Sequence, residues 1–204
     1  MVEELPGNFY KAKMNIEERL NLRSELIKSN TKVFTSSIIE ISNIITSSLN
    51  NKHKLMFCGN GGSAAESQHM AAEYCATLNH KNFRAGFAAM SLTVDTSFIT
   101  AWSNDFGYLD VFSRQVETLG NGGDVLICYS TSGTSKNILA AIHRAKALNI
   151  KVVLFTGDNE NIEIKDYCDY IFHAPSSNTA LIQEMHTIIG HEVCLNVELE
   201  MSQS

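Results

Sequence analysis

The stretch Leu55–Tyr74, LMFCGNGGSAAESQHMAAEY, decides the fold. Four apolar residues run into Gly59-Asn60-Gly61-Gly62, and an amphipathic segment follows. A short, continuously apolar run bounded by glycine reads as a strand buried on both faces, and the segment after it reads as a helix over Ser63–Thr77. Glycine tolerates positive φ and leaves the N–H groups of a helix start uncovered, so the turn can present donors to an oxyanion. In a parallel sheet such a turn lies at the carboxyl end of a strand, where ligands bind. It is not the dinucleotide fingerprint, because Ala64 stands where GxGxxG needs glycine, and no GK[ST] follows to make a Walker loop. The same tetrapeptide recurs at Gly120–Gly123, ahead of an apolar run, and there it is only a turn.

Working outward, further apolar runs occur at Phe87–Leu92, Val125–Tyr129, Val152–Thr156 and Tyr170–His173, with helical patterns at Thr96–Trp102, Leu109–Leu119, Ser135–Leu148 and Thr179–Leu199. This alternation predicts an α/β fold: a parallel sheet flanked by helices on both faces. Upstream, Asn15–Asn50 has helical periodicity that Asn30-Thr31 would break into two helices packed alongside, after a loose arm over residues 1–12. The chain reads as one domain, 1–204, with the arm and N-terminal helices in 1–50 and the α/β core in 51–204. The last helix is apolar almost all round its second half. That suits a helix central to its own fold or one buried between subunits.

With 204 residues, 44% of them hydrophobic, the chain can bury one sizeable core. Its net charge of −6 argues against general binding to nucleic acid or to an anionic membrane. A small phosphorylated ligand asks only for a local pocket of donors. The five cysteines lack CxxC spacing, and three lie in apolar runs, as expected of buried thiols in a reducing compartment. No basic start followed by an apolar stretch opens the sequence, and no run reaches the ~18 apolar residues of a membrane span. The expected location is the cytoplasm.

A second strand-to-helix turn, in DVLICYSTSGTSKN (Asp124–Asn137), carries five hydroxyls in the six residues Ser130–Ser135. A helix N-cap uses one hydroxyl, so the excess points to a neutral cradle for phosphate. In the first helix, Ser63 and Glu66 have the spacing of a capping box. His69 and Glu73, four apart, share one helix face and can bind a metal or pair an acid with a base.

Together CGNGGSAAESQHMAAEY (58–74), SNDFGYLDVFSRQVETLG (103–120), GDVLICYSTSGTSKN (123–137) and LIQEMHTIIGH (181–191) resemble the sugar isomerase (SIS) family, and within it the phosphoheptose isomerases. The resemblance implies an αβα sandwich on a five-stranded parallel sheet, assembled as a homotetramer with active sites at subunit interfaces. It implies that Asn60, Gly61, Gly62, Asn104 and Asp105 line the sugar site, with Ser130, Thr131, Ser132 and Ser135 on the phosphate. It further implies that His69, Glu73, Gln183 and His191 surround one zinc ion per subunit, Glu73 and His191 also being the acid–base pair. Arg84 is the nearest candidate for an arginine the family carries near the end of the first site helix, and Leu181 replaces another. His186, close to Gln183, is the obvious decoy.

The activity so implied is conversion of sedoheptulose 7-phosphate to D-glycero-D-manno-heptose 7-phosphate through an enediol, for lipopolysaccharide or capsule. The competing readings are a non-catalytic SIS protein that binds a replication initiator, and an isomerase of a different phosphosugar. The first lacks counterparts of Glu73 and His191, which this chain has.

Overall fold

A computed structural model of the protein describes residues 14–81, 83–159 and 163–202, so the expected arm at 1–12 lies outside the described residues. The chain order is α1 (Ile16–Asn50), β1 (Leu55–Gly59), α2 (Gly62–Cys75), β2 (Ala89–Ser91), α3 (Thr96–Phe106), α4 (Val111–Leu119), β3 (Val125–Tyr129), α5 (Lys136–Ala147), β4 (Lys151–Thr156), β5 (Tyr170–His173) and α6 (Thr179–Met201). The five strands form one parallel sheet in the order β2-β1-β3-β4-β5.

Side-chain alternation splits the core into two layers. Leu55, Phe57, Val125, Ile127, Val153 and Phe155 face α1, α2 and α6. Met56, Cys58, Leu126, Cys128, Val152 and Leu154 face α4 and α5, with α3 at the margin. The two-sided sheet expected from the apolar runs is thus present, and Cys58, Cys128 and Cys194 are buried free thiols. The strand expected over Phe87–Leu92 is shorter, because β2 is an edge strand that pairs with β1 through three residues.

The N-terminal region differs from expectation: α1 is one unbroken helix of 35 residues, not two. Asn30 and Thr31 do not break it because their side chains turn back onto it. Asn30 Nδ2 donates to the Leu26 carbonyl at 2.9 Å and Thr31 Oγ1 to that of Ile27 at 3.0 Å. A reciprocal capping box between Asn15 and Glu18 starts the helix. Its second half buries Phe34, Ile41, Ile45 and Leu49 against the sheet, while Ile16, Leu20 and Val33 stay exposed. Along α6, Leu181, Met185, Ile189, Val193 and Val197 are buried in the chain's own core, and Leu199 is exposed.

β1 is the switch point of this topology: the chain leaves it for β2 on one side and returns to β3 on the other. A crevice therefore opens beyond the carboxyl ends of β1 and β3, where both sequence loops lie.

Candidate active site

β1 ends at Gly59, and Gly61 is the N-cap of α2 with φ 56°, a left-handed conformation that favours glycine. No side-chain hydrogen bond caps α2. Gly62 has a different constraint. A Cβ there would sit 2.7 Å from Nε2 at the movable end of the Gln183 side chain, so α6 lays that amide directly against the turn.

The expected capping box at Ser63 and Glu66 does not form. With the cap at Gly61, Ser63 is already inside the helix and buried. Glu66 instead accepts a 2.7 Å hydrogen bond from Thr187 Oγ1 of α6, across 121 positions. Burial raises its carboxyl pKa, opposed by the Thr187 hydroxyl and by the charges of His69 and His191. Gly62, Ser63, Glu66, His69, Gln183 and Thr187 line a cavity of about 480 Å³ between α2 and α6.

Three candidate residues converge around His69, which lines this cavity. His69 Nε2 lies 3.2 Å from Glu73 Oε1 one turn along α2. His191, from α6, brings Nε2 to 3.3 Å from His69 Nε2. One ligand atom from each falls within 4.8 Å of the others. Two imidazole nitrogens and a carboxylate oxygen, borne on two rigid helices, fit a borderline-soft divalent cation such as Zn2+. Gln183, eight residues before His191, lines the same cavity as His69.

His186 also borders the cavity, but its ring belongs to the core. It is buried among Tyr129, Phe155 and Phe172, with Nε2 3.2 Å from the Thr156 carbonyl. Desolvation lowers its pKa to about 4 against the pull of that carbonyl, so it is a neutral core histidine that donates to Thr156.

The hydroxyl loop does not cap α5 through a side chain, although Ser135 is that helix's N-cap. Ser130 Oγ donates to Ser135 Oγ at 3.3 Å, and Ser132 Oγ accepts from Thr134 N and Oγ1. The hydroxyls of the turn thus bond one another. Thr131, between Ser130 and Ser132, is half-buried, and the loop reverses at Gly133, φ 68°. Lys136, exposed in the first turn of α5, adds positive charge to the positive end of a helix.

Asn60 links the two loops. Its side chain and that of Asn137, at the start of α5, exchange two hydrogen bonds of 2.9 Å, and Tyr108 Oη donates to Asn60 Oδ1 at 3.0 Å. Asn137 and Tyr108 were not anticipated; only a folded chain puts them beside Asn60. Asn104 and Asp105, exposed near the end of α3, bond each other rather than the rest of the candidate set. Arg84 is turned away from any free ligand: its guanidinium engages the carbonyls of Glu73 and Tyr74 and the Glu198 carboxylate.

Comparison with known proteins agrees with this architecture. The SIS domain profile matches residues 20–157. The phosphoheptose isomerase of Burkholderia pseudomallei (strain 1710b) is 46% identical over 163 residues, covering 80% of this chain and 81% of that protein. That of Clostridium acetobutylicum is 40% identical over 194 residues, covering 95% of each. The solved phosphoheptose isomerase of Neisseria gonorrhoeae superposes with a TM-score of 0.80 at 34% identity, covering 90% of this chain and 99% of that one. The two loops, the α2–α6 cavity and this kinship together mean that the chain belongs to the SIS-domain family and, within it, to the phosphoheptose isomerases.

Proposed function

We propose that the protein converts sedoheptulose 7-phosphate to D-glycero-D-manno-heptose 7-phosphate. The observation that carries this reading is the convergence of Glu73 and His191, a carboxylate and an imidazole from different helices, on His69, which lines the α2–α6 cavity together with Gly62 of the first loop. Aldose–ketose conversion needs that combination: a base at the C1–C2 edge, a proton donor for the oxygens, and donors for the phosphate.

Glu73 takes the proton from C1 of the ketose, leaving an enediolate across C1 and C2, and returns it to C2. His191 gives a proton to the C2 oxygen and receives one from the C1 oxygen, so no proton is gained or lost overall. Ser130, Thr131, Ser132 and Ser135 grip the phosphate, helped by the α5 N-terminus and Lys136. Asn60, Gly61 and Gly62 border the sugar, with Asn104 and Asp105 as further sugar contacts. His69, Glu73, Gln183 and His191 would hold zinc, which when bound polarises the substrate oxygens as a Lewis acid.

The exposed apolar residues Ile16, Leu20 and Val33 on α1, and Val94, Phe106 and Leu109 about α3, support assembly into a homotetramer. Among the described residues no helix is long and apolar enough to cross a membrane, which accords with a cytoplasmic enzyme feeding heptose to a surface polysaccharide.

The test is a coupled assay of purified protein across several ketose phosphates, with and without chelator. Turnover of sedoheptulose 7-phosphate above the others supports the assignment. Preference for another ketose phosphate would move it to a different phosphosugar, and no turnover of any would remove the isomerase reading.

A further inference from the structure

The end of α2 lacks the usual stops. It has no basic residue in its last turn, and Ala76 rather than glycine follows Cys75. The carbonyls of a last helical turn have no partner within the helix and must find one elsewhere. Here Arg84 supplies it. Its Nη2 donates to the Glu73 carbonyl and its Nη1 to the Tyr74 carbonyl, each at 3.0 Å. The loop that delivers Arg84 is pressed against the helix end: a Cβ on Gly86 would lie 2.5 Å from the Cys75 carbonyl oxygen, and Phe87 N donates to the Tyr74 carbonyl at 3.0 Å. Phe87 also stacks under the guanidinium at 3.9 Å.

Arg84 is held in turn by Glu198, a buried carboxylate on α6, through Nε at 2.8 Å and Nη2 at 2.6 Å. Glu198 accepts as well from Leu78 N at 2.9 Å and Asn79 N at 3.3 Å, just past the end of α2. Burial alone would push its carboxyl up, yet these donors and the Arg84 charge hold it below the usual range. Glu198 follows His191 by two turns of the same helix. The turn that carries Glu73 and the helix that carries His191 are thereby tied by one charge-assisted fork.

We propose that Arg84, gripped by Glu198, is a positioning residue that sets the Glu73 carboxylate against His191. It acts through the backbone of the last α2 turn and does not touch substrate. The planar fork is what reaches two carbonyls and a carboxylate at once, so lysine, with one charge point, keeps the charge and loses the geometry. A misplacement of about 1 Å can cost about 100-fold in rate while substrate binding survives.

The inference rests on the proposed isomerase activity for its kinetic test, and crystal structures make it decidable without that activity. The variants are Arg84→Gln and Arg84→Lys, with Lys151→Gln as control, since Lys151 pairs with Asp169 away from the cavity. Arg84→Gln is expected to lower kcat about 10- to 100-fold with KM within about twofold, Arg84→Lys to fall between it and wild type, and Lys151→Gln to leave both unchanged. Should Arg84→Gln not fold, the lysine variant carries the test. Wild-type kcat in the Arg84 variants overturns the proposal, as does a proportional change of kcat and KM. If the wild type turns over no ketose phosphate, the functional reading fails separately. Crystal structures of wild type and variant then decide: a Glu73 carboxylate unmoved relative to His191 overturns the proposal, and a displaced one supports it.

Discussion

His69 and His191, 122 positions apart, meet edge to face with their Nε2 atoms 3.3 Å apart. Each ring thus aims a nitrogen at the same small volume, and the Glu73 carboxylate shares it. Such a contact is weak as a hydrogen bond between two neutral rings, where only one can donate. It is strong as a pair of ligands to one cation.

Removal of metal should therefore silence the enzyme. Dialysis against chelator is expected to abolish turnover, and added Zn2+ to restore it. His69→Ala should weaken zinc binding at least about 100-fold, measured by competition with a chromophoric chelator. Undiminished turnover of the metal-free protein would refute the ligand assignment.

Glu73→Gln keeps the size of the side chain and removes the base. Its kcat is expected to fall about 1,000-fold, with KM within a few-fold, because general-base catalysis contributes to the transition state rather than to binding. Retention of wild-type kcat would mean that another group takes the proton.

The hydroxyl loop should act on KM. Ser132→Ala, which removes one donor to a charged phosphate, is expected to raise KM about tenfold, close to 1.5 kcal/mol. The unphosphorylated ketose supplies the control, and a handicap of equal size with that substrate would place Ser132 on the sugar instead.

Stability should depend on pH through His186. An unfolded histidine takes its proton near pH 6.5 and folded His186 near 4, so between these values the unfolded chain holds the extra proton. Its contribution is complete above pH 6.5 and is lost as pH falls towards 4. The loss between pH 7 and pH 5 comes to about 2 kcal/mol. Denaturant unfolding of wild type and His186→Leu at both pH values, at fixed protein concentration, should show a flatter profile for the variant; identical profiles would exclude His186 as the source.

The sheet was legible because its buried strands are short apolar runs set off by glycine, serine and aspartate, and β3 and β5 fall where those runs fall. Local pattern failed where two explanations shared one sequence. Asn30-Thr31 looks like a break, yet side chains that bond back to the preceding turn keep α1 whole. Ser63 and Glu66 look like a capping box, but the left-handed Gly61 starts α2 too early for it. His69 and Glu73 were visible as a helix-face pair, whereas their meeting with His191 depends on how α2 packs on α6. Contacts such as Glu66 with Thr187, Asn60 with Asn137 and Arg84 with Glu198 join distant positions, and nothing in their spacing announces them.

β1 and β3 pair in register across 70 positions, with Cys58 directly opposite Cys128. Contacts so remote in sequence are closed late and slowly during folding, after much chain entropy has been surrendered. The crevice exists only once that pairing is made. A nascent or partly melted chain consequently has no rudimentary version of the site to improve upon, and the capacity to react arrives in one step with the completed sheet.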